Sequence, residues 1–158
     1  MITHSGTSTP AADAAVGLRY ALIPVHGYSL AVASVALMLD GEATGTARVL
    51  AVGEPVPYGA LPVLVADTTV YGAVRVEEML RSWHTGLPRP WLVWLADVPA
   101  APPVAARYRI RALRNRLAGL AQVSYLPSLR TVERPEEALA HKDVTKAALK
   151  LRRQLEGN

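Results

Sequence analysis

Gly27-Tyr28-Ser29-Leu30-Ala31 stands between an apolar run and a helix-forming run. In this G-x-S-x-A setting a strand-to-helix turn presents a serine as nucleophile. Asp97 and His141 follow it in the order Ser, Asp, His. His141, or the nearer His26, is then the candidate general base, and Asp97 the residue that orients it. Ser29 has a second reading that needs no catalysis, because serine ahead of a helical run is a preferred N-cap. The cap fits the rest of the chain better. The turn follows the first apolar run, so the strands and oxyanion loop that normally precede such an elbow are missing, and 158 residues are few for a hydrolase of that architecture.

Asp67-Thr68-Thr69 and Asp97 also follow apolar runs and therefore belong at strand ends. Paired carboxylates there hold Mg²⁺ or share a proton, or each caps the segment that follows it. Capping is the simpler reading, since a helical pattern begins directly after Asp67. The four histidines are scattered without metal-ligand spacing and cysteine is absent, so no metal site is expected, and disulfides and thiolate catalysis are excluded.

Arginines crowd one segment at 107, 109, 111, 114 and 116. On a helix Arg107, Arg111 and Arg114 share one face while Arg109 and Arg116 align on another, which suits a solvated exterior more than one binding stripe. A basic patch of Arg107, Arg111 and Arg114 toward nucleic acid or an acidic protein is the alternative. Tyr108 is the only aromatic among them, so stacking on bases is not suggested.

These residues need a scaffold, and the pattern supplies one. Residues 1–16 are mostly Ser, Thr, Ala and Pro and read as a flexible leader; 17–158 read as a single α/β domain with a C-terminal helix. Strands are expected at 18–25, 48–52, 62–66, 91–95 and 121–125, and helices at 30–39, 70–85 and 104–120. From Pro135 onward the chain is helical, with a break near His141. Inward positions are expected at Leu30, Ala33, Ala36, Leu37 and Leu39 in the first helix, and at Val70, Val74, Met79, Leu80 and Trp83 in the second. Alternating strands and helices imply a three-layer sandwich around a mostly parallel sheet of about five strands. Sites in such sheets gather beyond the carboxyl ends of the strands. Those ends are 26–29, 53–58, 67–69, 97–103 and 126–130.

Composition agrees. The apolar fraction is 51%, drawn from Ala, Val and Leu with no Phe, as suits strands covered on both faces. The longest apolar stretch, 30–39, is about half of what spans a bilayer, and the N-terminus lacks the basic start of a secretory signal. A cytoplasmic protein is the expectation. Net charge is +4, and all three lysines, Lys142, Lys146 and Lys150, lie in the tail. There Val144, Ala147, Ala148, Leu151 and Leu155 form a small apolar face without Trp or Phe, so weak membrane binding at most and docking on the domain are expected. Trp83, Trp91 and Trp94 read as core or near-core residues, with Trp91 after Pro90 as a possible interface position.

The order of these pieces resembles the ParA/MinD branch of the P-loop NTPases, including actinobacterial relatives of that branch. The resemblance is carried by the first strand, Gly-containing turn and helix at 22–39, by the strand ending Asp67-Thr68-Thr69, by the apolar WLVWLAD, and by VSYLPSLR followed by a Pro and an Ala/Leu helix. It implies an ATP/Mg²⁺ fold that dimerises. The phosphate loop is degenerate. His26-Gly27-Tyr28-Ser29 keeps one glycine, Tyr28 would crowd the phosphate channel, and residues 1–141 contain no lysine to reach the β- and γ-phosphates. Ala96-Asp97 stands where the base-recognising Asn is expected, and its carboxylate disfavours phosphate. The expectation is a module without cofactor that acts by self-association or by binding a protein partner. An enzyme, either a Ser29 hydrolase or an unorthodox NTPase, and a nucleic-acid-associated basic protein are the alternatives.

Overall fold

A computed structural model describes residues 17–157; the leader expected at 1–16 lies outside the described residues. Five runs become strands: Tyr20–Pro24 (β1), Ala47–Val49 (β2), Leu61–Asp67 (β3), Trp91–Leu95 (β4) and Gly119–Val123 (β5). They pair in parallel throughout, in the order β2-β1-β3-β4-β5. The helices are Leu30–Leu39 (α1), Val70–Arg81 (α2), Val104–Ala112 (α3), Pro135–Ala138 (α4) and Lys142–Glu156 (α5).

That strand order decides where the helices lie. From β1 the chain steps outward to β2, and from β3 it steps the other way to β4 and β5. Right-handed crossovers therefore put α1 on one face and α2 and α3 on the other. The two-residue period of the strands supplies both faces. Val63, Val65, Val93 and Leu95 join α1, α4 and α5 in one core, while Leu64, Ala66, Leu92 and Trp94 join α2 and α3 in the second. The chain is an α/β protein with helices on both faces of a five-stranded parallel sheet.

Several boundaries differ from the sequence expectation, each for a physical reason. The helix expected over 104–120 stops at Ala112; a 3-10 turn at Arg114–Arg116 follows, and β5 begins at Gly119 rather than 121. Gly119 is not the helix stopper it reads as. It lies in register with Trp91, whose indole ring fills the space that a Cβ would take. The inward face of α2 is Gly72, Ala73, Val76 and Leu80, and Val70 is exposed. Gly72 lies at the helix start against Asp67, with whose carboxylate a Cβ there would collide, and Ala73 packs into the apolar core. α2 ends at Arg81, and Trp83 beyond it donates from Nε1 to the Pro88 carbonyl at 3.1 Å. In α1 the buried positions are Val32, Ala33, Ser34, Val35, Met38 and Leu39; Ser34 is accommodated because its hydroxyl donates to the Leu30 carbonyl at 2.8 Å. β2 is short because the chain turns away after Val49 into Ala51-Val52-Gly53.

The tail docks as expected. α5 buries Val144, Ala148, Leu151 and Leu155 in the core it shares with α1 and β5, and Arg152 Nη1 donates to the Met38 carbonyl at 2.7 Å. The break near His141 separates α4 from α5. Among the described residues no helix is long and apolar enough to cross a membrane.

Candidate functional site

The switch in winding direction falls between β1 and β3, and helices diverge from it on opposite faces. A crevice is left there, at the carboxyl ends of the strands. It is a cleft of about 470 Å³ whose wall includes Leu30, Val65, Leu95, Leu126 and Leu129, with His26, Ser29, Asp67, Asp97 and Arg130 as its polar members. The loop 26–29 and both strand-end aspartates thus meet in one place.

The loop after β1 is held at both ends. Val25 donates its backbone N–H to the Val65 carbonyl at 3.1 Å. Gly27 then takes φ +108°, a left-handed conformation that side-chain-bearing residues rarely adopt. Tyr28 projects outward, 70% exposed. Ser29, extended at φ −151° and ψ 169°, caps α1: its Oγ accepts from the Val32 N–H at 3.2 Å.

His26 reaches across to the end of β3. Its Nε2 accepts the Asp67 backbone N–H at 3.1 Å and lies 3.5 Å from Asp67 Oδ1. An accepting Nε2 places the proton of the neutral imidazole on Nδ1. Tyr71 packs against the same ring in a tilted arrangement, with centroids 6.1 Å apart.

Asp67 supports its turn rather than capping the helix itself. Its Oδ1 accepts from the Thr69 hydroxyl at 2.5 Å and the Thr69 N–H at 3.2 Å, and Thr69 in turn caps α2 by accepting from Gly72 N–H at 2.9 Å. Thr68 is buried and donates to Asp97 Oδ1 at 3.3 Å, which couples the ends of β3 and β4. Asp97 is exposed, and the N-cap of α3 is Pro103 rather than Asp97.

Ser29, Asp97 and His26 therefore line one cleft, but His141 does not. It is the N-cap residue of α5, where its carbonyl accepts from Thr145. Among the described residues no hydrogen bond joins Ser29 to a histidine, and no group of three His, Asp or Glu side chains is placed to hold a metal ion. The strand-end residues Leu126, Leu129 and Arg130 complete the cleft. They belong to a strand end legible in the sequence, but nothing in LPSLR singled them out.

The arginine cluster divides in two. Arg109 forms an ion pair with Glu77, and Arg116 Nη2 donates to the Leu80 carbonyl at 3.0 Å, so both tie α3 and its following turn to α2. Arg107 and Arg111 stay exposed on α3 beside Tyr108, with the Arg111 guanidinium 5.9 Å from the ring centroid. Arg114 is exposed too, but it lies in the 3-10 turn and not on the helix.

Comparison with family models, with curated proteins and with solved structures gives no match.

Proposed function

We propose that the protein is a non-catalytic module of ParA/MinD-like layout that acts by binding another protein. The observation that carries this reading is the character of the surface around the cleft. Tyr28 follows β1, Tyr71 stands in the first turn of α2 after β3, and Val98 follows β4; all three are exposed beyond the ends of three adjacent strands. On α3, Arg107 and Arg111 stand beside the exposed Val104 and Tyr108. Tyrosine and arginine around apolar side chains is the composition of interface centres.

The site chemistry points the same way. Ser29 has its oxygen engaged at a helix start, and His26 turns its Nε2 toward β3. Neither arrangement activates a nucleophile. A phosphate entering the cleft would meet two carboxylates, Asp67 and Asp97, against one arginine, Arg130, and no lysine.

Two measurements test the proposal. Thermal melts with Mg²⁺ and millimolar ATP, ADP or GTP should show no shift, because a ligand that binds only the folded state raises the midpoint by mass action. Affinity purification from the source cells should recover a partner, or a second copy, that is lost from the Tyr28→Ala/Tyr71→Ala variant. A nucleotide-dependent rise of several degrees, or fluorophosphonate labelling that disappears in Ser29→Ala, would overturn it in favour of an enzyme. Salt-dependent retention on duplex DNA that drops when Arg107, Arg111 and Arg114 are neutralised would favour the nucleic-acid alternative.

A further inference from the structure

β5 is an edge strand. Among the described residues it pairs only with β4, and no backbone hydrogen bond reaches its outer side. Val123 directs its carbonyl at β4, where it accepts from the Ala96 N–H at 2.9 Å. Because successive residues of a strand point their backbone groups to opposite sides, the N–H and C=O of Gln122 face outward, and Ser124 is the first residue beyond the end of the strand. Both residues are exposed.

This edge is not flat against solvent. It forms one wall of a groove of about 570 Å³ whose other wall is α5. Beside one carboxylate, Asp143, which the Ser128 hydroxyl engages at 2.6 Å, Lys146, Lys150 and Arg153 line that groove. Their spacing of four and three residues sets them along one side of the helix. None of the three forms an ion pair among the described residues, whereas Arg19, Arg48, Arg75, Arg81 and Arg109 all do. Leu149, also in the groove, is 44% exposed.

We infer that the β5 edge and the basic side of α5 together receive an acidic, extended segment of a partner protein, which adds to the sheet as a sixth strand. This deepens the protein-binding reading and rests on it, but uses a different face. The outward groups of Gln122 supply main-chain hydrogen bonds that the exposed chain at Ser124 can extend, and the three cations select carboxylates on the partner strand. Charge decides the occupant. A second copy joined edge to edge would bring two rows of Lys146, Lys150 and Arg153 together, which opposes self-pairing here.

The test is fluorescence anisotropy of the full chain with a labelled alternating peptide, Glu-Val-Glu-Val-Glu-Val-Glu, with blocked ends. The comparison peptides replace Glu by Gln, or carry N-methyl groups on alternate residues so that they cannot pair as a strand. The acidic peptide should bind. Binding should weaken by about tenfold in Lys146→Gln/Lys150→Gln/Arg153→Gln, a fall in line with three modest exposed pairs. The N-methylated peptide should not bind, and amide shifts on titration should centre on Gln122 and Ser124. Gln122→Pro removes one outward donor and should weaken binding; if that variant misfolds, the N-methylated peptide tests the same hydrogen bonds.

Equal affinity for the Glu and Gln peptides, equal affinity for the N-methylated peptide, or absence of binding would overturn the inference. So would capture of anionic vesicles or duplex DNA by the same three cations in preference to the peptide. A failure here that leaves the Tyr28/Tyr71-dependent partner intact removes this groove alone, while loss of both removes the protein-binding reading.

Discussion

The indole of Trp91 lies across Gly119, its register partner on the neighbouring strand, so the two residues together fill the space of one large side chain and none. A methyl group at 119 must displace either the ring or the strand. Gly119→Ala should destabilise the fold by about 2 kcal/mol, the usual cost of overpacking. Trp91→Leu should relieve part of that cost. A double-mutant cycle in urea should therefore give a coupling of about 1 kcal/mol, and additive behaviour would contradict the packing described.

Ser29 allows a substitution that separates a cap from a nucleophile. Ser29→Ala should lower stability by about 1 kcal/mol, because the Val32 N–H loses its acceptor. Ser29→Asp should restore it, since a carboxylate caps equally well and favours the positive end of α1. Thermal melts of the two variants read this directly. Equal melting temperatures for Ser29→Ala and the unaltered protein would remove the capping role.

Two hydrogen-bonded carboxylates away from the cleft should contribute to the response to acid. Burial pushes Asp40 up, but hydrogen bonds from Thr44 and Gly45 outweigh it and hold the carboxyl below its ordinary range. The Ser128 hydroxyl, donating at 2.6 Å, does the same for Asp143. A carboxyl whose folded pKa is depressed contributes stability that is fully present above its unfolded value, roughly 3.9. That contribution is lost as pH falls through the folded value. The melting temperature should therefore decline on acidification below about pH 4. Asp40→Asn should cost about 2 kcal/mol at neutral pH, because the amide nitrogen meets backbone N–H donors, and should flatten the acid decline.

The arginines around α3 should behave as two classes. Arg116→Met removes the donor to the Leu80 carbonyl and should cost about 1 kcal/mol. Arg107→Met and Arg114→Met should fall within about 0.5 kcal/mol of the unaltered protein, as exposed substitutions do. Urea midpoints of the three variants make the comparison, and similar losses at all three positions would contradict it.

Much of the scaffold was legible because it follows from local pattern. The apolar runs at 18–25, 62–66 and 91–95 read as strands, within a residue or two of where the structure forms them, and the apolar face of α5 was visible in its spacing. What stayed hidden depends on residues far apart in sequence. A glycine after a helical run reads as a helix end, and only the approach of Trp91, 28 positions earlier, makes Gly119 the start of a strand. The inward face of α2 was read only at Leu80; hydrophobicity alone does not mark Gly72, whose place is fixed by the approach of Asp67. In the site, the strand-end positions were foreseeable from alternation alone. The contact of His26 with Asp67 was not, since it spans 41 residues and depends on which strands are neighbours.

The reversal of winding between β1 and β3 has an evolutionary corollary. A hollow produced by the path of the backbone persists through any substitution that leaves the path intact. Exchanging the side chains that line it does not erase the hollow; it rewrites which molecules are welcome there. A protein of this architecture therefore carries a recess in a fixed location, and selection can work on the lining of that recess without rebuilding the fold.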